Sequence, residues 1–193
     1  MNIIDISKDI MLSPVYDGDP KPEIKKIASI KDGDECNLST LFTCVHTGTH
    51  CDSPLHYIEN GKTTNEIELN AFIGECEVIE FSGEVISESD VLSLFPRDSK
   101  RILIKSQSKA HFDKGGAKAA ANLNIKLIGV DSMSVGTYED EKNPHLAFLE
   151  NDIAILENLY LDEVKAGKYF LFAAPVKISG TEGAPLRAIL IEE

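Results

Sequence analysis

The chain has 193 residues, 42% hydrophobic and 26% charged, which suffices for one well-buried core and is ordinary for a globular protein. A formal net charge of −13 with no run of Lys or Arg argues against nucleic acid as a partner, whose phosphates would be repelled. No stretch reaches the roughly twenty apolar residues of a membrane span, and Met1 to Ile6 alternates as a strand rather than a signal peptide. A single cytoplasmic domain over residues 1–193 is therefore expected.

Short β-rich runs punctuated by glycine, proline and Asn/Asp turns dominate the chain in order. Asn2 to Ile6 predicts the first strand, and Glu23 to Ile30 and Leu38 to Val45 the next two. Residues 46–56 follow, and then a strand over Glu77 to Phe81. Ser87 is placed to cap a helix over Glu88 to Phe95, which Pro96 ends. Arg101 to Lys105 predicts a strand, His111 reads as a loop residue, and Lys114-Gly115-Gly116 suggests a mobile loop before an alanine-rich helix over Gly116 to Leu123. Lys126 to Val130 reads as a strand closed by Asp131, which could orient a metal ligand by a hydrogen bond but is expected rather to cap the following turn. Asn143-Pro144 opens a helix through Glu150, with Asn151 as its stop. Strands over Ile153 to Leu156, Tyr169 to Ala173 and Leu186 to Ile191 complete a mixed α/β domain with no repeat or linker. Cys36, Cys44, Cys51 and Cys76 form no Cys-x-x-Cys pair and read as reduced thiols.

Residues 46–56, His-Thr-Gly-Thr-His-Cys-Asp-Ser-Pro-Leu-His, hold three of the five histidines and a carboxylate. Imidazoles and a carboxylate are the ligand set of divalent ions such as Zn²⁺ or Mn²⁺, and a site with few protein ligands leaves room for an activated water. Hydrolysis is the chemistry this pattern suggests first. His46 and His50 stand four apart, but Gly48, the β-branched Thr47 and Thr49, and Pro54 oppose a helix. In an extended segment His46, His50, Asp52 and His56 share one face, with His50 and Asp52 roughly 7 Å apart and His46 and His50 about 13 Å apart. The chain must then bend for His46 and His50 to reach one ion, and Gly48 is the natural pivot. Cys51 points away from His50 and Asp52 and is expected to pack rather than ligate.

Two residues far along the chain carry a weaker signal. His145 lies in the first turn of its predicted helix, and Glu157 ends the apolar run Ile153-Ala154-Ile155-Leu156. A carboxylate there is costly unless paired or metal-bound. Read alone, each is better explained by a surface position than by a site.

The stretch from His46 to His56 resembles the signature of the metal-dependent cyclase family, which includes kynurenine formamidases and isatin hydrolases. Likeness extends to Asp5-Ile6-Ser7, to Pro14 through Pro20, to Gly129-Val130-Asp131-Ser132, to Ile155 through Leu159, and to the run from Gly167 through Ala188. The resemblance implies a swivelling β/β/α fold with mixed sheets, a homodimer or homotetramer, and one or two ions per chain, for which the ligand types suit Zn²⁺, with Mn²⁺ as the alternative. It places ligands at His46, His50, Asp52, His145 and Glu157 and assigns His56 to proton transfer. The chain departs from the formamidase pattern in having no tryptophan, where Val15-Tyr16-Asp17 stands in the matching segment, and in a shorter Lys105 to Asn124 region. Tyr16 is the candidate to replace the lost aromatic surface against substrate.

The implied reaction is hydrolysis of a small-molecule amide, N-formyl-L-kynurenine, to kynurenine and formate. A divalent ion would lower the pKa of water towards about 7 and polarise the carbonyl. Hydrolysis of a cyclic amide such as isatin is the alternative within the family. A non-catalytic metal- or ligand-binding protein is the alternative outside enzymes, and His56 speaks against it because a binder needs no proton carrier.

Overall fold

The computed structural model describes residues 1–192. In chain order the elements are β1 (Asn2–Asp5), β2 (Glu23–Ala28), β3 (Leu38–Phe42), β4 (His50–Asp52), β5 (Ile73–Glu80), β6 (Val85–Ile86), α1 (Glu88–Leu94), β7 (Arg101–Lys105), β8 (His111–Phe112), α2 (Lys114–Ala121), β9 (Leu127–Val130), α3 (Lys142–Leu149), β10 (Ala154–Glu157), β11 (Gly167–Phe172), β12 (Gly183–Pro185) and β13 (Ile189–Glu192).

Nine of the strands form one mixed sheet in the order β1-β13-β11-β5-β7-β9-β10-β4-β12. The centre, β5-β7-β9-β10, is parallel, and every other pairing in the sheet is antiparallel. Parallel strands are buried on both faces, which is why Ile102-Leu103-Ile104 and Leu127-Ile128 are continuous apolar runs. Alternation divides them between two cores. Ile102, Ile104, Ile128, Val130 and Ile155 face the helices, where they pack with Val91, Ala117, Ala120 and Phe148. Leu103, Leu127, Ala154 and Leu156 face the other way and pack with Phe72, Leu159, Leu161, Leu171 and Leu190.

α1 starts where its cap predicts, while α2 and α3 begin one or two residues before the expected Gly116 and Asn143. Ser87 Oγ accepts the Asp90 amide and Asp90 reciprocates to the Ser87 amide, so α1 opens on a capping box. The expected mobile loop at Lys114-Gly115-Gly116 is instead the first turn of α2, with Asp113 as its N-cap accepting the Gly116 amide at 2.6 Å. Glycine at 116 serves close approach: a Cβ there would lie 2.0 Å from the Ile86 carbonyl oxygen. His111, read as a loop residue, begins β8, which pairs in parallel with β6.

The antiparallel pair β2 and β3 stands apart from the nine-stranded sheet. Ile24, Ile27, Ile30, Leu38, Leu41 and Phe42 of this hairpin and its turn are each more than half exposed. No helix among the described residues is long and apolar enough to cross a membrane.

Candidate metal centre

β4 runs between β10 and β12, so three segments remote in sequence meet at one place. The register sets Glu157 opposite His50, and sets both Ile155 and Gly183 opposite Asp52. Cross-strand partners share a face, so His50, Asp52 and Glu157 all leave the sheet on the helix side with Ile155. Cys51 points to the opposite core with Leu156 and Ala184, as the alternation predicts. Its thiol is fully buried, and that burial pushes its pKa up, so it is inert.

The remaining side chains arrive from loops and one helix. Gly48 takes φ +71°, the left-handed conformation that turns the chain between His46 and His50. Thr49 pins this bend: its hydroxyl donates to the Asn158 carbonyl at 2.6 Å and accepts the Lys8 amide at 2.7 Å. Pro54 opens a single 3₁₀ turn that carries His56 back over the cluster, where its ring stacks on His46 with centroids 4.3 Å apart. The first turn of α3 delivers His145.

Hydrogen bonds at the outer edges of two rings decide what their inner nitrogens offer. Nδ1–H of His50 donates to the Gly48 carbonyl at 2.9 Å, and Nδ1–H of His145 donates to the Glu141 carbonyl at 2.7 Å. Each Nε2 is thereby directed inward. His50 Nε2 lies 3.4 Å from both Asp52 Oδ1 and Glu157 Oε2, and His145 Nε2 lies 3.2 Å from Glu157 Oε1 and 3.5 Å from Asp52 Oδ2. His46 Nδ1 is 2.9 Å from Asp52 Oδ1. His50 Nε2, His46 Nε2 and Asp52 Oδ2 are buried without a hydrogen-bond partner.

Two buried carboxylates ringed by imidazole nitrogens demand a positive charge. In the absence of a cation, protons supply it. Burial disfavours the charged ring of His50, but the Asp52 and Glu157 carboxylates outweigh burial and push it up to about 10; the same balance puts His145 at about 10. Burial likewise opposes the Asp52 carboxylate, yet His145, His46 and His50 hold it well below the usual range. A divalent cation satisfies the same demand once it displaces those protons, and the donor set suits Zn²⁺ and Mn²⁺. Two groups have this convergence: His50, Asp52 and Glu157, and His46, Asp52 and His56.

The sequence-predicted residues His46, His50, Asp52, His145 and Glu157 thus meet in one cluster, with His56 against its His46 side. His56 differs from the inner rings, because its burial keeps the pKa below the ordinary histidine value against the pull of Asp52. The geometry admits it as a proton carrier and as a ligand alike. Tyr16 lies outside the ligand cluster, and its own burial raises its phenol to about 12, with the nearby Glu141 carboxylate adding to the shift. Asp131 is structural, but not as the cap of the turn after it: its carboxylate accepts the Ser106 amide and hydroxyl at 2.7 and 2.6 Å and ties the end of β9 to the end of β7.

Sequence reading missed two residues. Tyr57 lies over His145 with ring centroids 4.6 Å apart, and only its position after His56 hinted at this. Glu182 brings a carboxylate oxygen 3.6 Å from His46 Nε2 through the pairing of β12 with β4, for which short Gly-Ala-Pro gives no strand signal.

A mixed sheet covered on one face by helices carries a buried His/Asp/Glu cluster, a candidate metal site, where its strands meet. Residues 4–137 match the family model described as "Putative cyclase", and the chain belongs to that family. It is 32% identical to a kynurenine formamidase of Paracidovorax citrulli (strain AAC00-1), across 92% of this chain and 90% of that one. A solved structure described as a potential metal-dependent hydrolase with cyclase activity superposes with a TM-score of 0.84 at 28% identity, covering 98% of this chain and 96% of the other. Isatin hydrolase A from Labrenzia aggregata shares the fold at the same TM-score with 20% identity, over 100% of this chain and 94% of its own.

Proposed function

We propose that the chain is a metal-dependent amidohydrolase that cleaves N-formyl-L-kynurenine to kynurenine and formate. The observation that carries this reading is the convergence of His50 Nε2, His145 Nε2, Asp52 and Glu157 on one buried point, in a chain a third identical to a kynurenine formamidase. His46, His50, Asp52, His145 and Glu157 would hold one or two ions, Zn²⁺ or Mn²⁺. A divalent ion so held lowers the pKa of water and polarises the amide carbonyl.

The chain's own groups supply the rest. Hydrolysis adds the water oxygen to the formyl carbon, breaks the C–N bond and returns a proton to the aryl amine. His56, neutral at neutral pH because burial lowers its pKa, accepts the proton from water and passes it to the departing nitrogen. Tyr16 and Tyr57 offer aryl faces beside the cluster, and Tyr16 with Glu141 offers polar contacts to the amino-acid end of the substrate. Formate release from N-formyl-L-kynurenine by cation-loaded protein tests the reading, with isatin and an aliphatic formamide in parallel. A rate no better than that for the aliphatic compound overturns the substrate. Preferential turnover of isatin establishes the cyclic-amide reading instead.

The same protein is proposed to act in the cytoplasm as a homodimer, or a homotetramer built from such dimers. A two-stranded hairpin is marginal in water by itself, and both faces of the β2–β3 pair are exposed. Ile24, Ile27, Leu38, Leu41 and Phe42 of this pair are each more than half exposed, an apolar surface that a second copy would cover. Light scattering checks this, and a monomer at micromolar concentration sinks it.

A further inference from the structure

We infer that Glu182 is a positioning residue for His46: it accepts the Nε2 proton of that ring and so fixes Nδ1 as the nitrogen offered to a cation. The inference rests on the metal reading of the site. His50 and His145 turn Nε2 inward because backbone carbonyls hold their Nδ1 protons. His46 is reversed, with Nδ1 facing Asp52 Oδ1 at 2.9 Å and Nε2 facing away from the cluster. For Nδ1 to bind a cation it must carry the lone pair, and the ring proton must sit on Nε2. Yet Nε2 of His46 is buried without a hydrogen-bond partner. A buried N–H in that position needs an acceptor.

Glu182 Oε1, 3.6 Å away, is placed to be that acceptor. Its backbone is fixed: the Ser53 amide and hydroxyl donate to the Glu182 carbonyl at 2.8 and 3.0 Å. Its side chain is 42% exposed and free to close roughly half an ångström to hydrogen-bond distance. The next residue, Gly183, removes the obstacle to this approach, since a Cβ there would lie 2.6 Å from His46 Cε1. The Glu182-Gly183 pair therefore does two jobs for one ring, with glycine giving it room and glutamate setting its proton. A carboxylate bound to the outer nitrogen of a ligating histidine also raises the basicity of the inner one.

The test uses the full chain and zinc as the probe, with Glu182→Ala and Glu182→Gln compared with wild type. Zinc affinity is measured by competition calorimetry, and the His46 Nε2–H resonance is followed by NMR in the zinc-loaded protein. Wild type should show a downfield, slowly exchanging Nε2–H. In Glu182→Ala that signal should be lost to exchange and affinity should fall by about 10- to 100-fold. Glu182→Gln, whose amide oxygen still accepts, should keep the signal and lose less affinity. Either readout unmoved in Glu182→Ala overturns the inference, because a merely structural role could lower affinity without touching the His46 proton. Zinc bound equally by wild type and Glu182→Ala sinks the role of Glu182 alone, whereas wild type that binds no zinc sinks the metal reading with it.

Discussion

His50 and His56 face the same cluster from six positions apart in sequence, yet their removal should have different consequences. His50 Nε2 sits between two buried carboxylates, so His50→Ala should lose both bound cation and turnover. Elemental analysis of the purified variant decides this, and full occupancy would remove His50 from the ligand set. His56→Ala should keep the cation while turnover falls by roughly 10²- to 10⁴-fold, the usual worth of a general acid–base group. Cation lost in step with activity would instead make His56 a ligand, an arrangement the His46, Asp52 and His56 group allows. The legibility of these residues in the sequence follows from how far apart the chain holds them. His46, His50, Asp52 and His56 lie within one bend, so their types, the parity of their spacing and the glycine pivot could all be read locally. His145 and Glu157 reach the cluster only through α3 and the β10–β4 pairing, and residue type by itself could not separate them from surface positions. Tyr57 and Glu182 left still less trace, because a tyrosine after a turn and a glutamate before a glycine have many ordinary uses.

At the scale of elements, the central strands and the three helices were legible because buried parallel strands write themselves as unbroken apolar runs and Ser87 and Asn143-Pro144 mark helix starts. β6, β8 and β12 were not, since two or three residues carry no periodicity and pair only because neighbours hold them there. Lys114-Gly115-Gly116 shows how a local rule misleads when packing decides. Glycines near a helix start read as flexibility, yet Lys114 and Gly115 are already helical, and residue 116 is glycine because β6 passes too close for any side chain. Two effects then oppose each other in Gly116→Ala. Helix propensity favours alanine by about 1 kcal/mol, while a methyl group 2.0 Å from the Ile86 carbonyl forces backbone apart at a typical cost of about 1–3 kcal/mol. Because the atom met is backbone rather than a movable side-chain end, the clash should win, and urea denaturation should show net destabilisation of about 1 kcal/mol or more. Unchanged or increased stability would mean that β6 gives way and that its pairing with β8 is soft.

For the molecule as a whole, the cluster couples fold stability to cation and to pH together. In cation-free protein His50 and His145 have pKa values raised to about 10 from an ordinary 6.5. A group whose folded pKa is raised contributes stability that is fully present below the unfolded value and is lost as pH rises through the folded one. Cation-free protein should therefore lose stability progressively between about pH 6.5 and 10. The loaded protein should escape this loss, because the cation has already displaced those protons and its affinity for the cation-free form rises as they leave. A cation at a hundred times its dissociation constant adds about 2.7 kcal/mol, or roughly 5–10 °C in Tm for a chain of this length. The gap between cation-loaded and chelator-treated protein should thus widen as pH is raised from 6.5 to 8.5. Thermal unfolding at three pH values with and without chelator measures it directly. A gap that stays constant or narrows would show that His50 and His145 do not give up protons to the cation, and the ligand set would have to be redrawn without them.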